Sequence, residues 1–183
     1  LYLGSFAMTR VASVARLQEM IEADLDACTG SDVELRIHLS GDDTDIQDFA
    51  GTCIDDTDTR CKVYDVDPGL LECGDELVAE ALHSHVLRSL CPVTNQPDLG
   101  SVMISYHGPR IDKASLLKYI VSFRQHNDFH EACVERMFLD ISEHCSPERL
   151  TVYARYQRRG GIDINPFRSN FEAPPSRLRL RRQ

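Results

Sequence analysis

Periodicity constrains this chain more than any other feature. Over its second half the apolar pattern changes from strand-like to helical and back. Leu82 to Leu90 reads as a strand that runs into Cys91-Pro92. Val102, Ile104 and Tyr106 alternate with Met103 and Ser105, which marks a second strand. The loop between them, from Pro92 to Asp98, is rich in turn residues. Leu116, Ile120 and Phe123 then share one helical face, with Leu117 and Val121 beside it. Val134, Met137, Phe138, Ile141 and Cys145 form a second helical stripe. Asn127 or Asp128 would cap its start, and Pro147 ends it. Leu150, Val152, Ala154 and Tyr156 alternate with Thr151, Tyr153 and Arg155. Gly160-Gly161 makes a turn, and Ile162 to Phe167 returns as a short strand. The order strand, strand, helix, helix, strand, strand predicts an α+β layer. An antiparallel sheet would carry both helices on one face. The other face would need a cover, so association with further copies is expected.

The first half is less regular. Leu1 to Cys28 reads as largely helical, with an apolar stripe at Val14, Leu17, Ile21, Leu25 and Cys28 that Gly30 terminates. Val33, Leu35, Ile37 and Leu39 alternate with Glu34, Arg36 and His38, as in a half-buried strand. From Asp42 to Glu76 acidic residues dominate, opposed only by Arg60 and Lys62. A solvated linker with turns explains them best. No segment fits the calcium-loop frame.

Composition removes whole classes of function. The 183 residues carry 29 acidic and 20 basic side chains, a net charge of −9. That balance excludes a protein that coats nucleic acid by bulk electrostatics. No apolar run approaches the roughly 18 residues of a membrane span. The seven cysteines, Cys28, Cys53, Cys61, Cys73, Cys91, Cys133 and Cys145, are odd in number and form no CxxC. A disulfide framework or zinc ribbon is therefore unsupported, and a reducing, cytoplasmic setting is expected.

Three groups of residues can carry chemistry. Cys91 stands where a strand gives way to a loop, with Asp98 across that loop. A lone cysteine is more often a core filler. Here the carboxylate could take the thiol proton and return it. His130-Glu131 opens a helix, where Glu131 could serve the helix dipole. Equally, one carboxylate can accept two parallel hydrogen bonds from a guanine-type base edge. The sequence is His-Glu-Ala-Cys, so a zincin is excluded. Arg155, Arg158 and Arg159 adjoin Gly160-Gly161, an arrangement that suits phosphate as well as an ordinary basic hairpin. The arginines at 177, 179, 181 and 182 make a basic terminus of surface character.

Three stretches resemble a known family. They are Cys91-Pro92-Val93-Thr94-Asn95-Gln96-Pro97-Asp98, Ser122-Phe123-Arg124-Gln125-His126-Asn127-Asp128-Phe129-His130-Glu131, and the run from Tyr153 through Arg159-Gly160-Gly161 to Pro166. Together they resemble the nitrile reductases of the QueF family, in the long two-domain form. The likeness extends through Gly51-Thr52-Cys53-Ile54-Asp55-Asp56. It implies a tunnelling fold in tandem units: residues 70–183 a complete unit, and 1–69 the end of a preceding unit plus an acidic linker. It implies a homodimer and NADPH-dependent reduction of 7-cyano-7-deazaguanine in queuosine biosynthesis, with no nucleic-acid or membrane partner. By motif match, Cys91 would be the nucleophile that forms a covalent thioimide and Asp98 the proton donor. His130 and Glu131 would hold the deazapurine. Arg159 and Gly160 would hold NADPH, with Arg158 as a further phosphate contact, and no metal is expected. The family's Glu-Ser-Lys-Ser motif, which would precede Leu1, is absent, so a longer protein is expected. Two other readings stay open. One is a zinc-dependent cyclohydrolase of the same fold, with ligands drawn from His83, His85, Cys91 and Cys133. The other is a fragment that binds a deazapurine without turnover.

Overall fold

The computed structural model describes residues 2–38, 46–175, 179–181 and 183. Leu1, Leu39, Asp42, Asp43, Asp45, Arg177 and Arg182, all used in the readings above, lie outside them. The chain divides into two compact units, Leu1–Asp43 and Thr44–Gln183.

In the first unit a short helix α1 (Tyr2–Ser5) and a single 3-10 turn precede α2 (Val14–Thr29). The Ser13 side chain caps α2 by accepting from the Arg16 N–H, and Gly30 ends it at φ 67°. The expected strand at Val33 to Leu39 does not form over its described part, residues 33–38. The alternation is real, because Val33, Leu35 and Ile37 are half-buried and their neighbours exposed. However, the Val33 and Leu35 N–H groups donate to Asp26 Oδ1 (2.7 Å) and Glu22 Oε1 (3.0 Å). Side chains of α2 take the bonds that a neighbouring strand would have taken.

The second unit is built on a five-stranded sheet in the order β2-β3-β4-β5-β6. Its strands are β2 (Thr52–Cys53), β3 (Cys73–Leu90), β4 (Pro97–Ile111), β5 (Arg149–Tyr156) and β6 (Phe167–Ser169). A separate pair, β1 (Ile46–Gln47) and β7 (Arg179–Leu180), runs parallel. Between β4 and β5 stand α3 (Lys113–Ser122) and α4 (His130–Cys145). The expected order of elements is observed, and the unit is α+β. Two details differ. β2 lies parallel to β3, so the sheet is mixed rather than antiparallel. The long stretch from Ile54 to Glu72 supplies the crossover that a parallel pair requires. The returning strand is only Phe167–Ser169. After the tight turn closed by Arg159 and Ile162 the chain still runs beside β5, with the Ala154 N–H donating to Pro166 O and the Tyr156 N–H to Ile164 O, but without regular strand pairing.

Packing follows the periodicity. Leu116, Ile120 and Phe123 of the first helical segment and Val134, Met137, Ile141 and Cys145 of the second are buried together against Leu82, Val102, Ile104, Val152 and Ala154. Truncating one such leucine or isoleucine to alanine costs about 2–5 kcal/mol. Asp112 caps α3 through the Ser115 N–H. The cap of α4 is Phe129, not Asn127 or Asp128; Asp128 instead accepts the Phe129 N–H at 2.8 Å. The opposite sheet face carries Met103, Tyr153 and Phe167, partly covered by Phe49 and Leu180.

The acidic stretch is more than a solvated linker. Asp55 accepts from the Ser84 hydroxyl (2.6 Å) and the His85 N–H (3.0 Å), which clamps the end of β2 onto β3.

Candidate active site

Cys91 follows the last residue of β3 directly. Its loop is closed by Cys91 N–H to Gln96 O (2.9 Å) and Asn95 N–H to Cys91 O (2.8 Å). Asn95 takes the left-handed conformation at φ 56°, and its side chain accepts from Asn127 Nδ2 at 2.9 Å. Leu90 exchanges backbone bonds with the segment before α4, donating to His126 O and accepting from Asp128 N–H. These contacts seat the cysteine loop beside the start of α4. The Cys91 thiol is held below its ordinary pKa, first by the Thr94 hydroxyl, then by the backbone N–H groups of Thr94 and Val93. Burial and the charge of Asp98 oppose this shift.

Asp98, near the start of β4 and opposite Ser89, is buried. His130 Nε2 lies 3.1 Å from its Oδ2, and the Arg159 guanidinium pairs with its Oδ1. The His130 ring is stacked on Tyr156, with centroids 3.9 Å apart and planes 8° from parallel. His130 is the first residue of α4, so the helix start and the middle strands of the sheet meet at this carboxylate. Cys133, one turn on, is buried beside the hydroxyls of Ser89 and Tyr156. Burial pushes its thiol up to about 11. Tyr156 is raised well above 10 for the same reason.

Four expected residues thus converge: Cys91, Asp98, His130 and Arg159. Glu131 is exposed and has no hydrogen bond or ion pair with the described residues. It opens into a recess with Glu135, Phe167 and Arg168. Gly160 and Gly161 form an exposed turn at φ 57° and 83°, a region that L side chains avoid. Arg159 reaches back from this turn to Gln96 Oε1 (3.0 Å) and Pro97 O (2.7 Å) as well as to Asp98. Arg158 is taken by Asp163 in a two-pronged pair (3.1 and 2.8 Å), and its guanidinium draws the Asp163 carboxyl below the usual range. It is therefore a turn-stabilising residue before it is a phosphate contact.

Sequence reasoning missed Thr94 and Tyr156. Thr94 lies within the quoted cysteine motif, three residues after the thiol. Tyr156 looked like any apolar position of an alternating strand. The proposed zinc set does not assemble as expected. His83 and His85 come together with Cys53, not with Cys91 or Cys133.

A family model described as QueF-like protein matches residues 97–175. The chain is 49% identical over 185 aligned residues to the NADPH-dependent 7-cyano-7-deazaguanine reductase of Chromohalobacter salexigens. That match covers 100% of this chain and 67% of the relative. This chain belongs to the QueF family. The crystal structure of the archaeosine synthase QueF-Like in its apo form is also similar, at 17% identity and a TM-score of 0.46, over 54% of this chain and 96% of that one. Membership in the QueF family agrees with the three stretches singled out in the sequence. Two of them supply the convergence at Asp98 directly, and the third supplies Arg159. Among the described residues no helix is long and apolar enough to cross a membrane.

Proposed function

We propose that this chain reduces the nitrile of 7-cyano-7-deazaguanine to the aminomethyl group with NADPH, in queuosine biosynthesis. The observation that carries the reading is the Cys91 thiol, its pKa lowered on an exposed loop whose far end holds the buried Asp98 carboxylate. The Cys91 thiolate attacks the nitrile carbon and forms a C–S bond. The nitrile nitrogen gains a proton from Asp98, which leaves a covalent thioimide. That proton is the one Asp98 takes from the Cys91 thiol before the attack, so the addition balances. His130 holds Asp98 in place through Nε2, and its ring is fixed by Tyr156. Its Nδ1, without a partner among the described residues, supports a role in substrate contact. Glu131 is uncommitted, and its carboxylate suits the N1–H and 2-amino edge of the deazapurine.

The exposed turn at Gly160-Gly161, with a guanidinium beside it, fits a phosphate-bearing cofactor. Arg159 and Gly160 would hold NADPH twice in each reaction: a first molecule would supply a hydride to the thioimide, and a second would supply one to the imine left when the C–S bond breaks. The link from Arg159 to Asp98 joins that turn to the proton donor.

In this reading residues 70–183 are one complete tunnelling-fold unit and residues 1–69 close a preceding one. The order of β3, β4, α3, α4, β5 and β6 supports it. The enzyme acts as a homodimer in the cytoplasm on a small deazapurine, without a nucleic-acid partner. The test is mass spectrometry after adding the nitrile without NADPH. An adduct on Cys91 is expected, and an unmodified Cys91 would reject the mechanism. Oxidation of NADPH on adding the same nitrile checks the overall reaction.

A further inference from the structure

We propose that Cys53, His83 and His85 form a structural zinc site at the β2 edge of the sheet, separate from the reaction centre. In the parallel pair β2–β3, Cys53 stands in register with His83. Neighbours in register project from the same face, and His85, two residues on, shares it. One ligand atom of each residue lies within 4.8 Å of the others. Ligands at zinc bond lengths sit about 3.3–3.8 Å apart, so a small rotamer adjustment closes the site.

The outer contacts select the ligand nitrogens. His83 Nδ1 lies 3.3 Å from the Ala50 carbonyl oxygen, which can only accept, so that nitrogen carries the proton and Nε2 keeps its lone pair. His85 Nδ1 is 2.8 Å from the Ser101 hydroxyl, which can accept as well as donate; with the proton on Nδ1, Nε2 is the ligand atom. Asp48 Oδ1 lies 3.4 Å from His85 Nε2 but outside the cluster of the other three; its exposed side chain would have to swing in to supply a fourth, oxygen ligand. One thiolate, two imidazoles and one carboxylate suit tetrahedral zinc. The Cys53 thiol releases its proton to solvent when the metal binds.

The fold sets up this geometry without the metal. A side chain at Gly51 would place its first carbon 2.1 Å from the Ala81 carbonyl oxygen, so only glycine brings the chain this close to β3. Asp55 then fixes the backbone at His85. Cys53 is exposed and His85 half-buried, which leaves a path for the ion. Six residue steps separate His85 from Cys91, roughly 20 Å at about 3.3 Å per step. With Asp48 swung in, four protein ligands leave no open position for substrate, so the metal staples β2 to the sheet and takes no part in nitrile reduction.

Cobalt(II) added to the metal-stripped whole chain provides the test. One equivalent should produce tetrahedral visible bands and a thiolate charge-transfer band, both displaced by zinc. Cys53→Ser should remove the charge-transfer band and weaken zinc binding more than about 100-fold, beyond what a lost outer partner costs. His85→Ala should remove the tetrahedral bands, with circular dichroism confirming the fold. Cys91→Ala should leave both spectra unchanged. Zinc should raise the melting temperature of the unaltered chain and of Cys91→Ala, but not of Cys53→Ser. Absence of the charge-transfer band, its survival in Cys53→Ser, or its loss in Cys91→Ala would each overturn the site. None of these readouts depends on the reductase activity.

Discussion

Cys91 and Cys133 carry the same side chain, and both feel the charge of Asp98, yet their thiols are driven in opposite directions. Cys91 sits on a loop where the Thr94 hydroxyl and two backbone N–H groups stabilise the thiolate. Cys133 sits on the buried face of α4, where loss of water disfavours it. The contrast shows that reactivity here comes from donors supplied by a turn, not from nearness to the carboxylate. Like charges raise a thiol pKa, so Asp98 works against Cys91 ionisation while standing ready for proton transfer.

Cys91→Ala breaks the comparison most severely. Steady-state assays should show turnover falling by on the order of 10⁴-fold or more, as for other lost nucleophiles. Cys133→Ala should keep its kcat within a few-fold if Cys133 is only a core thiol. Asp98→Asn comes next. Its kcat should drop by about 10²–10⁴-fold, the range for a lost general acid. At the same time the pH profile of Cys91 alkylation should move down, because the charge that raises the thiol is gone. An upward movement would contradict the electrostatic account.

Glu131→Gln should raise KM for the deazapurine by about 10–100-fold, in line with roughly 1.5–3 kcal/mol for a charged hydrogen bond. An unchanged KM would remove Glu131 from the substrate site. Thr94→Ala should have the smallest effect. Without the hydroxyl, half-alkylation of Cys91 should shift to higher pH, and the rate at neutral pH should fall a few-fold. In the unaltered chain, alkylation below pH 9 should label Cys91 and spare Cys133, whose thiol stays protonated until about 11. Peptide mapping of the labelled protein reads both sites in one experiment.

Much of this was legible from residue order. The stripes at Leu116, Ile120 and Phe123 and at Val134, Met137 and Ile141 are the buried faces observed. The alternation of Leu150, Val152 and Ala154 faces the helices as read, although Thr151, Tyr153 and Arg155 are buried too. The strand ends were less legible. β3 starts at Cys73 rather than Leu82: Cys73 to Leu77 are exposed, Leu77-Val78-Ala79 breaks the apolar–polar alternation, and pairing with β4 is what holds this half.

Periodicity reports how each residue faces its own backbone, and by itself it determined the order of elements, the helical core faces and the placing of Cys91 at a strand end. The family resemblance depends on the same linear order. Which side chains meet across the sheet is a matter of register and crossover, and only the tertiary structure decided it. It gave Asp98 to His130 and Arg159, turned Arg158 to Asp163, left Glu131 open, and brought Cys53 to His83 and His85. A parallel neighbour such as β2 is reached through a long crossover, and nothing local in the sequence records where that crossover lands.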